Sequence, residues 1–504
     1  MTAYLYGSSI QGIQKFIFET NKLKEIVGAS ELVEQLSNEQ FFKEFKVNEN
    51  DMIMYAAGNI RLMSNNEDLI KEIVRTWPKI VAAKAPGLIL SQALVKIEGK
   101  LTREHFDKLE NRLRIARNKQ YLTQPISLMA VIRSRRTGKA AVDCKDEGKP
   151  RDISSKVKQE ISRKDAHQNL MEKSLGKNSK QYLNLFAADT SDMLFRDDET
   201  GWLAVVHADG NSLGKLIQAM AQKLEKDNQD LKEAFKRFSE ALNKSTIAAA
   251  RYAIEQIILP EKNTSKKLPF RPVIIGGDDL TIILRADLAL PFTELYLNKF
   301  TEYTLQNFDK LARSYSLKML RNGLTACAGI AYMKESFPFH YAAGLAENLC
   351  ADAKKHAKKI NQINVPSALL FHKIHDSFVE DYHEIERREL TTPSGISFKF
   401  GPYSINGSDL PSLKELIEQA DLILERDAPK SGIRKWLGLL YEDRNKADLW
   451  LERVKDITEQ KYIEKLKLET PFKPLEEENT YFKTHLFDVL TIASISPKNK
   501  MEGR

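Results

Sequence analysis

The sequence predicts an α+β fold with two ferredoxin-like domains followed by a C-terminal helical domain. The first observation is a repeated order of strand, helices, hairpin, helix and strand, found in residues 1–134 and again in residues 201–375. The second is that the charged segment 135–200 separates the two repeats. The third is that residues 376–504 carry amphipathic helical spacing in place of the strand pattern.

Length and charge limit the classes of protein that fit. A chain of 504 residues is too long for one hydrophobic core and suggests two or three domains. Its 77 basic and 69 acidic residues leave a formal charge of +8. That charge suits a polyanion such as RNA or DNA better than a membrane. The alternative is a mixed, slightly basic surface without such a partner.

The cysteine spacing and the length of the apolar runs indicate in which cellular compartment the protein works. Cys144, Cys327 and Cys350 have no metal-ligand spacing and cannot all pair with one another. This usage is typical of the reducing cytoplasm. The sequence shows no signal peptide and no apolar run long enough to span a bilayer. We therefore expect a cytoplasmic protein that does not enter a membrane.

The first repeat begins with a predicted strand over residues 3–10, followed by a helix that starts near Gln11. Ser8 or Ser9 could cap this helix or contact a phosphate at its N-terminus, and capping is the simpler interpretation. A predicted hairpin over residues 51–63 follows, and its turn carries no acidic residue. This turn occupies the position at which the second repeat carries two aspartates.

The first repeat ends with a predicted helix over residues 68–85 and a strand over residues 88–97. A charged helix and a further strand, 126–132, are predicted next. In residues 135–200 charges crowd together and periodicity fades, which indicates a linker or a lightly structured insert. Its basic residues could lie along a nucleic-acid backbone or in a solvated loop.

The second repeat opens with a buried-type strand over residues 202–208 that ends at Asp209. Gly210 and Asn211 follow, in a turn whose backbone amides could approach a triphosphate. A helix comes next, and a long helical stretch is then predicted over residues 230–258. The remaining predicted elements are the hairpin 271–285, the helix 288–311, the strand 324–332 and the helix 339–359.

The hairpin of the second repeat carries the main candidate site. Gly276 and Gly277 allow a tight turn and a close approach by phosphate. Asp278 and Asp279 would then lie at an exposed tip, where adjacent carboxylates favour a divalent cation. In a ferredoxin-like sheet the first strand lies beside the third, which would place Asp209 across one strand spacing of roughly 5 Å. The alternative is a polar turn that happens to contain two aspartates.

The helix over residues 339–359 ends in lysines that could reach a triphosphate. Lys354 and Lys355 are the better candidates, and a solvated helix end is an equal alternative. His207 shares the strand face of Asp209, but a half-buried strand histidine is commoner than a ligand. His375 precedes an aspartate, as in some metal phosphohydrolases, and we favour a surface polar residue there.

The C-terminal region is predicted to be helical. Amphipathic patterns cover residues 412–426, 431–456 and 458–468, and could pack a small bundle. A spare apolar face of such a bundle could dock a partner helix.

Three stretches resemble a known family. Residues 7–20 with 28–33 look like the opening of its first palm domain, and residues 208–214 with 276–280 look like its catalytic second palm. Residues 367–374 look like the segment that leaves that palm. The family is the large polymerase/cyclase subunit of type III CRISPR effector complexes. The resemblance spans most of the chain.

This resemblance implies two facing palms of the nucleotide cyclase type that join ATP by 3′–5′ bonds into cyclic oligoadenylates. In the family the reaction is triggered by target RNA bound to a guide complex. The matching positions imply Asp209, Asp278 and Asp279 as ligands of Mg²⁺ or Mn²⁺. Partners implied are guide-RNA ribonucleoprotein subunits, through the first palm and the C-terminal helices, and target RNA.

The resemblance also implies nucleotide contacts. Gly276 and Gly277 would form the turn that admits the triphosphate. Ser8 or Ser9 would contact the nucleotide held by the first palm.

The sequence departs from the family pattern in two places. It opens directly on the first palm, so we expect no HD nuclease activity. Where many members carry a four-cysteine zinc site, residues 135–142 offer no cysteine and only Cys144 is near, so we expect no structural zinc.

Alternatives to ATP cyclisation stay open. The acceptor could be another molecule such as S-adenosylmethionine. The chain could be a catalytically silent scaffold that binds an RNA complex, or a GTP-using cyclic dinucleotide synthase.

Overall fold

The structure is a computed structural model. It describes residues 2–37, 39–56, 58–119, 130–143, 150–164, 169–195, 201–375, 382–407, 409–477 and 480–496.

The first repeat forms a four-stranded antiparallel sheet in the order β2-β3-β1-β4. Apolar residues at helical spacing on α2 and α4 face the sheet and form its core, with Ile26, Ile73 and Trp77 fully buried. The elements are β1 (Thr2–Gln11), α1 (Ile13–Ile17), α2 (Leu23–Ser37), α3 (Glu39–Phe45), β2 (Met52–Ala56), β3 (Asn59–Ser64), α4 (Glu67–Lys84), β4 (Ile89–Glu98) and α5 (Arg103–Asn118).

The segment between the repeats is more structured than a linker or light insert. Its elements are β5 (Ala141–Asp143), β6 (Arg151–Asp152), α6 (Ile153–Lys164) and α7 (Asn169–Leu175). Helix α6 packs so closely on α2 that a Cβ on Gly28 would lie 1.8 Å from the carbonyl oxygen of Lys158. Lys158 is buried and donates hydrogen bonds to Phe16 O and Glu19 Oε2. The prediction failed because these tertiary contacts compensate for the weak local periodicity.

The predicted strand 126–132 falls mostly outside the described residues, and residues 130–132 are not in a strand.

The second repeat forms the larger sheet. Its strands and helices are β7 (Trp202–Gly210), α8 (Leu213–Lys226), α9 (Leu231–Ala253), β8 (Phe270–Gly276), β9 (Asp279–Arg285), α10 (Ala286–Ser314), β10 (Ala326–Lys334), α11 (Phe339–Ile360) and β11 (Ala368–Lys373). With β13 of the C-terminal region, the six strands lie in the order β13-β11-β10-β7-β9-β8. The first strand of the repeat, β7, therefore lies beside the third, β9, which confirms the predicted ferredoxin-like order.

The two faces of this sheet enter different cores because strand side chains alternate. Val206 and Ile282 pack with α10 and with C-terminal residues such as Trp436. Val205 and Ile283 pack in one cluster with α2 and α4 of the first repeat and with α11. The two repeats therefore share a continuous hydrophobic core.

The C-terminal region combines helices with a small sheet, which the predicted helical domain did not include. Leu449, within the predicted amphipathic stretch 431–456, is exposed and does not pack in a bundle core. The elements are α12 (Tyr382–Glu389), β12 (Ile396–Ser397), β13 (Tyr403–Ser404), α13 (Leu413–Leu422), α14 (Lys430–Glu442), α15 (Arg444–Asp456), α16 (Gln460–Lys465), β14 (Lys473–Glu477), β15 (Thr480–Lys483) and α17 (Leu486–Ala493).

Among the described residues, no helix is both long and apolar enough to cross a membrane.

Candidate metal and nucleotide site

Three aspartates converge where β7 meets the hairpin of β8 and β9. Asp209 lies directly opposite Asp279 in the antiparallel register of β7 and β9. Asp278 precedes Asp279 in the turn. One carboxylate oxygen from each of the three lies within 4.8 Å of the others. The predicted convergence of Asp209, Asp278 and Asp279 is therefore present in the structure.

The glycine turn allows this convergence. Gly276 pairs with Asp279, so the turn contains only Gly277 and Asp278. Gly277 has a φ of +63°, a left-handed conformation that side chains rarely adopt. A Cβ on Gly210 would lie 3.0 Å from the Cβ of Asp278, so a larger residue there would crowd the aspartate.

Two residues of α9 hold the same turn. Asn243 Oδ1 accepts a hydrogen bond from the Gly277 backbone N–H at 3.2 Å, and Thr246 Oγ1 donates to the Gly277 carbonyl oxygen at 2.6 Å. Both side chains lie on one face of α9, because positions three apart are neighbours on a helix. The backbone at the turn is thus fixed from behind by side chains that do not belong to the hairpin.

The carboxylates are partly withdrawn from solvent, although the sequence predicted an exposed tip. Burial raises the pKa of Asp278, and the negative charge of Asp209 raises it further. Burial also raises the pKa of Asp279 well above its usual range, with the charges of Asp278 and Asp209 adding to the effect. The prediction failed because packing around the hairpin covers it, and this packing is not visible in the local sequence. The acids at this site repel one another and favour a cation.

Lys354 supplies positive charge to the three aspartates. Its Nζ contacts Asp209 Oδ2 and donates to the Gly210 carbonyl oxygen at 2.9 Å. Burial by itself would lower the pKa of Lys354, but the charge and hydrogen bond of Asp209 outweigh it and the pKa is raised. The ammonium group therefore stays protonated beside the site.

Two other predicted nucleotide contacts have less support. Lys355 is exposed on α11, and its assignment to a triphosphate stays a prediction. Asn211 is buried, and its Nδ2 donates to Thr325 Oγ1 at 3.0 Å. Its Oδ1 has no hydrogen-bond partner in the described structure. Asn211 thus anchors the turn after β7, and a nucleotide contact stays a prediction.

Ser8 and Ser9 do not cap the first helix. Both lie inside β1, paired with β3 and β4, and Gly12 occupies the cap position of α1. The strand continues further than its sequence pattern indicated, because it is hydrogen-bonded on both sides. Both serines are buried, and Ser8 Oγ has no hydrogen-bond partner in the described structure. Their contact to a nucleotide stays a prediction.

His207 behaves as a structural residue. Its Nδ1 lies 3.0 Å from Thr281 Oγ1 on the neighbouring strand. Burial lowers the pKa of His207 to about 4, so the ring is neutral near pH 7.

Sequence reasoning missed the residues that support the hairpin from outside it. Asn243 and Thr246 interrupt the apolar face of α9, and that interruption was an available signal. Lys173 of α7 contacts Glu34 Oε1 at 2.5 Å and donates to the Ile275 carbonyl oxygen at 3.2 Å. No local signal marks Lys173, because its segment was interpreted as a linker.

The donor set fits a hard divalent cation. Mg²⁺ and Mn²⁺ prefer oxygen ligands, and three carboxylates offer them within 4.8 Å of one another. The contact of the Lys354 ammonium with Asp209 shows that this position attracts positive charge. Asp209, Asp278 and Asp279 are the residues that would hold the metal.

Comparison with known proteins agrees with this geometry. Residues 202–364 match the family described as Cas10/Cmr2, second palm domain. No curated protein sequence matches the chain.

Solved structures of low sequence identity share the fold. The Csm1–Csm4 cassette in complex with pppApApA matches at 13% identity and a TM-score of 0.53, covering 98% of this chain and 69% of that chain. The cassette in complex with AMPPNP matches at 15% identity and a TM-score of 0.50, with the same coverage. The apo cassette matches at 14% identity and a TM-score of 0.50, covering 98% of this chain and 70% of that chain. Residues 202–364 therefore form a second palm domain of the Cas10/Cmr2 type, and the chain shares the fold of these solved structures.

Proposed function

We propose that this protein is a metal-dependent nucleotidyltransferase of type III CRISPR antiviral signalling. It joins ATP into a cyclic oligoadenylate or a related adenylylated messenger. The observation that carries the proposal is the convergence of Asp209, Asp278 and Asp279 within 4.8 Å, on adjoining strands of a palm sheet.

Each part of the site has a role in this proposal. The three aspartates hold Mg²⁺ or Mn²⁺, which when bound would activate a 3′-hydroxyl and neutralise the departing pyrophosphate. Gly277 carries no side chain, so its turn would let a triphosphate approach the aspartates. Lys354 offers an ammonium donor to a phosphate oxygen from the same side as Asp209. Ser8 or Ser9 is proposed to contact the acceptor nucleotide from the first palm.

The ligands of similar proteins support ATP as the substrate. Csm1–Csm4 cassettes with this fold have been solved with AMPPNP, with one ATP and with cA3. A further one is described as part of the type III-A CRISPR-Csm interference complex. By extension, we propose that this chain acts in the cytoplasm with a Csm4-like subunit and a guide-RNA complex.

The test incubates the purified full chain and Mn²⁺ with labelled ATP or, separately, with labelled GTP, in the presence and absence of a candidate guide-RNA complex. Products are separated by chromatography, and Mn²⁺ binding is measured separately by electron paramagnetic resonance. Asp278→Ala is the test variant. Asp309→Ala is the matched control, because Asp309 lies on the exposed side of α10 and pairs with Arg313.

We expect an oligoadenylate product and tight Mn²⁺ binding in the parent and in Asp309→Ala, both lost in Asp278→Ala. Turnover of GTP alone would instead indicate a cyclic dinucleotide synthase. Absence of product and of Mn²⁺ binding, together with tight binding to an RNA complex, would indicate a scaffold and refute the proposal.

A further inference from the structure

A second cavity lies between the last strand of the second palm and the C-terminal helices. Its volume is about 350 Å³, which falls within the range of about 300–1,000 Å³ typical of small-molecule sites. Its lining includes Lys373 at the end of β11, His375 shortly after that strand, Phe398 just after β12, Arg434 and Tyr441 of α14, and Phe487 of α17.

The cavity is far from the three aspartates. Lys373 pairs with Tyr332 across β11 and β10, and Tyr332 pairs with Ala204 across β10 and β7. Ala204 precedes Asp209 by five residues, which corresponds to about 17 Å along a strand. The cavity therefore lies at the opposite end of the palm sheet and is separate from the proposed catalytic site.

The polar lining of the cavity is cationic. Lys373 and Arg434 line it, and no carboxylate occurs among the described residues that do so. His375 also lines it, but burial and the charge of Lys373 lower its pKa, so its ring is neutral near pH 7. An adjoining cavity of about 530 Å³ shares His375 and adds Arg388 and Glu389, which pair with each other at 2.8 Å. Clustered positive charges repel one another, so an anion bound among them would be stabilised.

Lys373 is positioned inside this cluster by neutral groups. Its Nζ donates to Ser494 Oγ at 2.6 Å and lies 4.3 Å from the centre of the Trp202 ring. Lys334 lies over the same ring, also at 4.3 Å. Burial, with the charges of Lys334 and Arg434, lowers the pKa of Lys373 to about 8. Lys373 is thus held at the wall by a hydroxyl and a ring, and its charge is available to a ligand.

Aromatic rings form the other wall. Phe398 and Phe487 stack with ring centres 5.3 Å apart, and Tyr441 meets Phe398 edge-on at the same distance. The Tyr441 hydroxyl donates to the Glu389 carbonyl oxygen, which fixes the orientation of its ring. A planar base could pack against these rings while its phosphate meets the cations.

We propose that this cavity binds a nucleotide through its phosphate, with Lys373 and Arg434 as the phosphate contacts and Tyr441 and Phe487 beside the base. The nucleotide is either free or the 5′-terminal residue of an RNA. The proposal does not depend on the chemistry at Asp209, Asp278 and Asp279.

Calorimetric titration of the full chain in EDTA tests the proposal, since chelation removes metal-dependent nucleotide binding elsewhere. The probes are inorganic phosphate, adenosine, AMP, and a short RNA with either a 5′-phosphate or a 5′-hydroxyl. The variants are Lys373→Gln and Arg434→Gln. Lys435→Gln is the matched control, because Lys435 lies over the Trp450 ring and does not line the cavity. Arg434 is exposed, so its replacement keeps the test valid if Lys373→Gln fails to fold.

We expect saturable binding of AMP or of the 5′-phosphorylated RNA, and no binding of adenosine. Each test variant should raise the dissociation constant about tenfold, because it loses a charge-assisted hydrogen bond to the phosphate. Lys435→Gln should leave the dissociation constant unchanged. If AMP binds more tightly than the 5′-phosphorylated RNA, the ligand is a free nucleotide. If the RNA binds more tightly than AMP, the ligand is the 5′ end of an RNA. Three results would overturn the proposal. Neither AMP nor the 5′-phosphorylated RNA binds saturably; the two test variants bind these ligands as tightly as Lys435→Gln does; or inorganic phosphate binds as tightly as AMP.

Discussion

Lys173 and Glu34 form an ion pair, with 2.5 Å between Nζ and Oε1, directly behind the glycine turn of the candidate site. Glu34 belongs to α2 of the first palm, whereas Lys173 also donates to the Ile275 carbonyl oxygen, next to Gly276. Both side chains are largely buried, at 19% and 14% exposure. This pair therefore connects the first palm to the backbone that positions Asp278.

We expect Lys173→Met and Glu34→Gln each to lower the turnover of ATP with little change in its KM, because the turn would lose its support. The double variant should show a coupling energy of about 0.5–3 kcal/mol, as residues in contact do. Turnover of the four proteins in a double-mutant cycle measures this. Lys180→Met, at an exposed position nearby, is the control. Additive effects of the two substitutions would show that the pair does not couple the palms.

The hydrogen bonds from α9 to Gly277 lead to a second prediction. Thr246→Val keeps the shape of the side chain but removes the donor to the Gly277 carbonyl oxygen. We expect a loss of about 1 kcal/mol in the free energy of unfolding and a fall in kcat, because the turn loses one of its two contacts from α9. Urea unfolding and steady-state kinetics measure the two effects. Lys244→Ala, on the exposed face of α9, should change neither.

Lys354 and Lys355 form a matched pair for a third prediction. Lys354→Met removes the ammonium from beside Asp209, so repulsion within the aspartates should lower the free energy of unfolding by about 2 kcal/mol in EDTA. Saturating Mn²⁺ should restore part of this loss, since the metal supplies the missing positive charge. Lys355→Met should have no such effect because Lys355 is exposed. Thermal unfolding with and without Mn²⁺ measures both effects. An equal change in the stability of Lys354→Met and Lys355→Met would contradict the placement of the Lys354 charge beside the aspartates.

Asp488 leads to a prediction about pH. Burial raises the pKa of Asp488 to about 7, although the Tyr403 hydroxyl donates to it at 2.6 Å. In the unfolded chain an aspartate has a pKa of about 3.9. Between about pH 4 and 7 the unfolded chain has lost a proton that the folded chain retains. The free energy of unfolding should therefore fall as pH rises from about 4 to about 7, by at most about 4 kcal/mol. Above about pH 7 the contribution of Asp488 should stay constant.

Chemical denaturation between pH 4 and 8 measures this dependence. Asp488→Asn should remove most of the slope, because the amide does not titrate. The exposed Asp456→Asn should keep the slope. A parent protein with the same slope as Asp488→Asn would show that another group controls the pH dependence.

Periodicity and turn chemistry predicted much of the fold. The two repeats, the acid-free first hairpin and the order that places β7 beside β9 follow from strand alternation, glycine turns and helical spacing. The small C-terminal sheet was missed because its strands are only two to five residues long. Helix α6 was missed because its partner, α2, lies more than a hundred residues earlier in the chain.

The sequence by itself determined which acids converge, because Asp278 and Asp279 follow a glycine turn and Asp209 ends a strand that must lie beside it. Tertiary structure alone decided how these acids are covered, which lysine meets them, and that Lys173 and Glu34 support the hairpin. It also created the cationic cavity at Lys373 and Arg434. The physical reason is that burial and charge contacts depend on segments distant in the chain, whereas a turn or a strand end depends on its immediate neighbours.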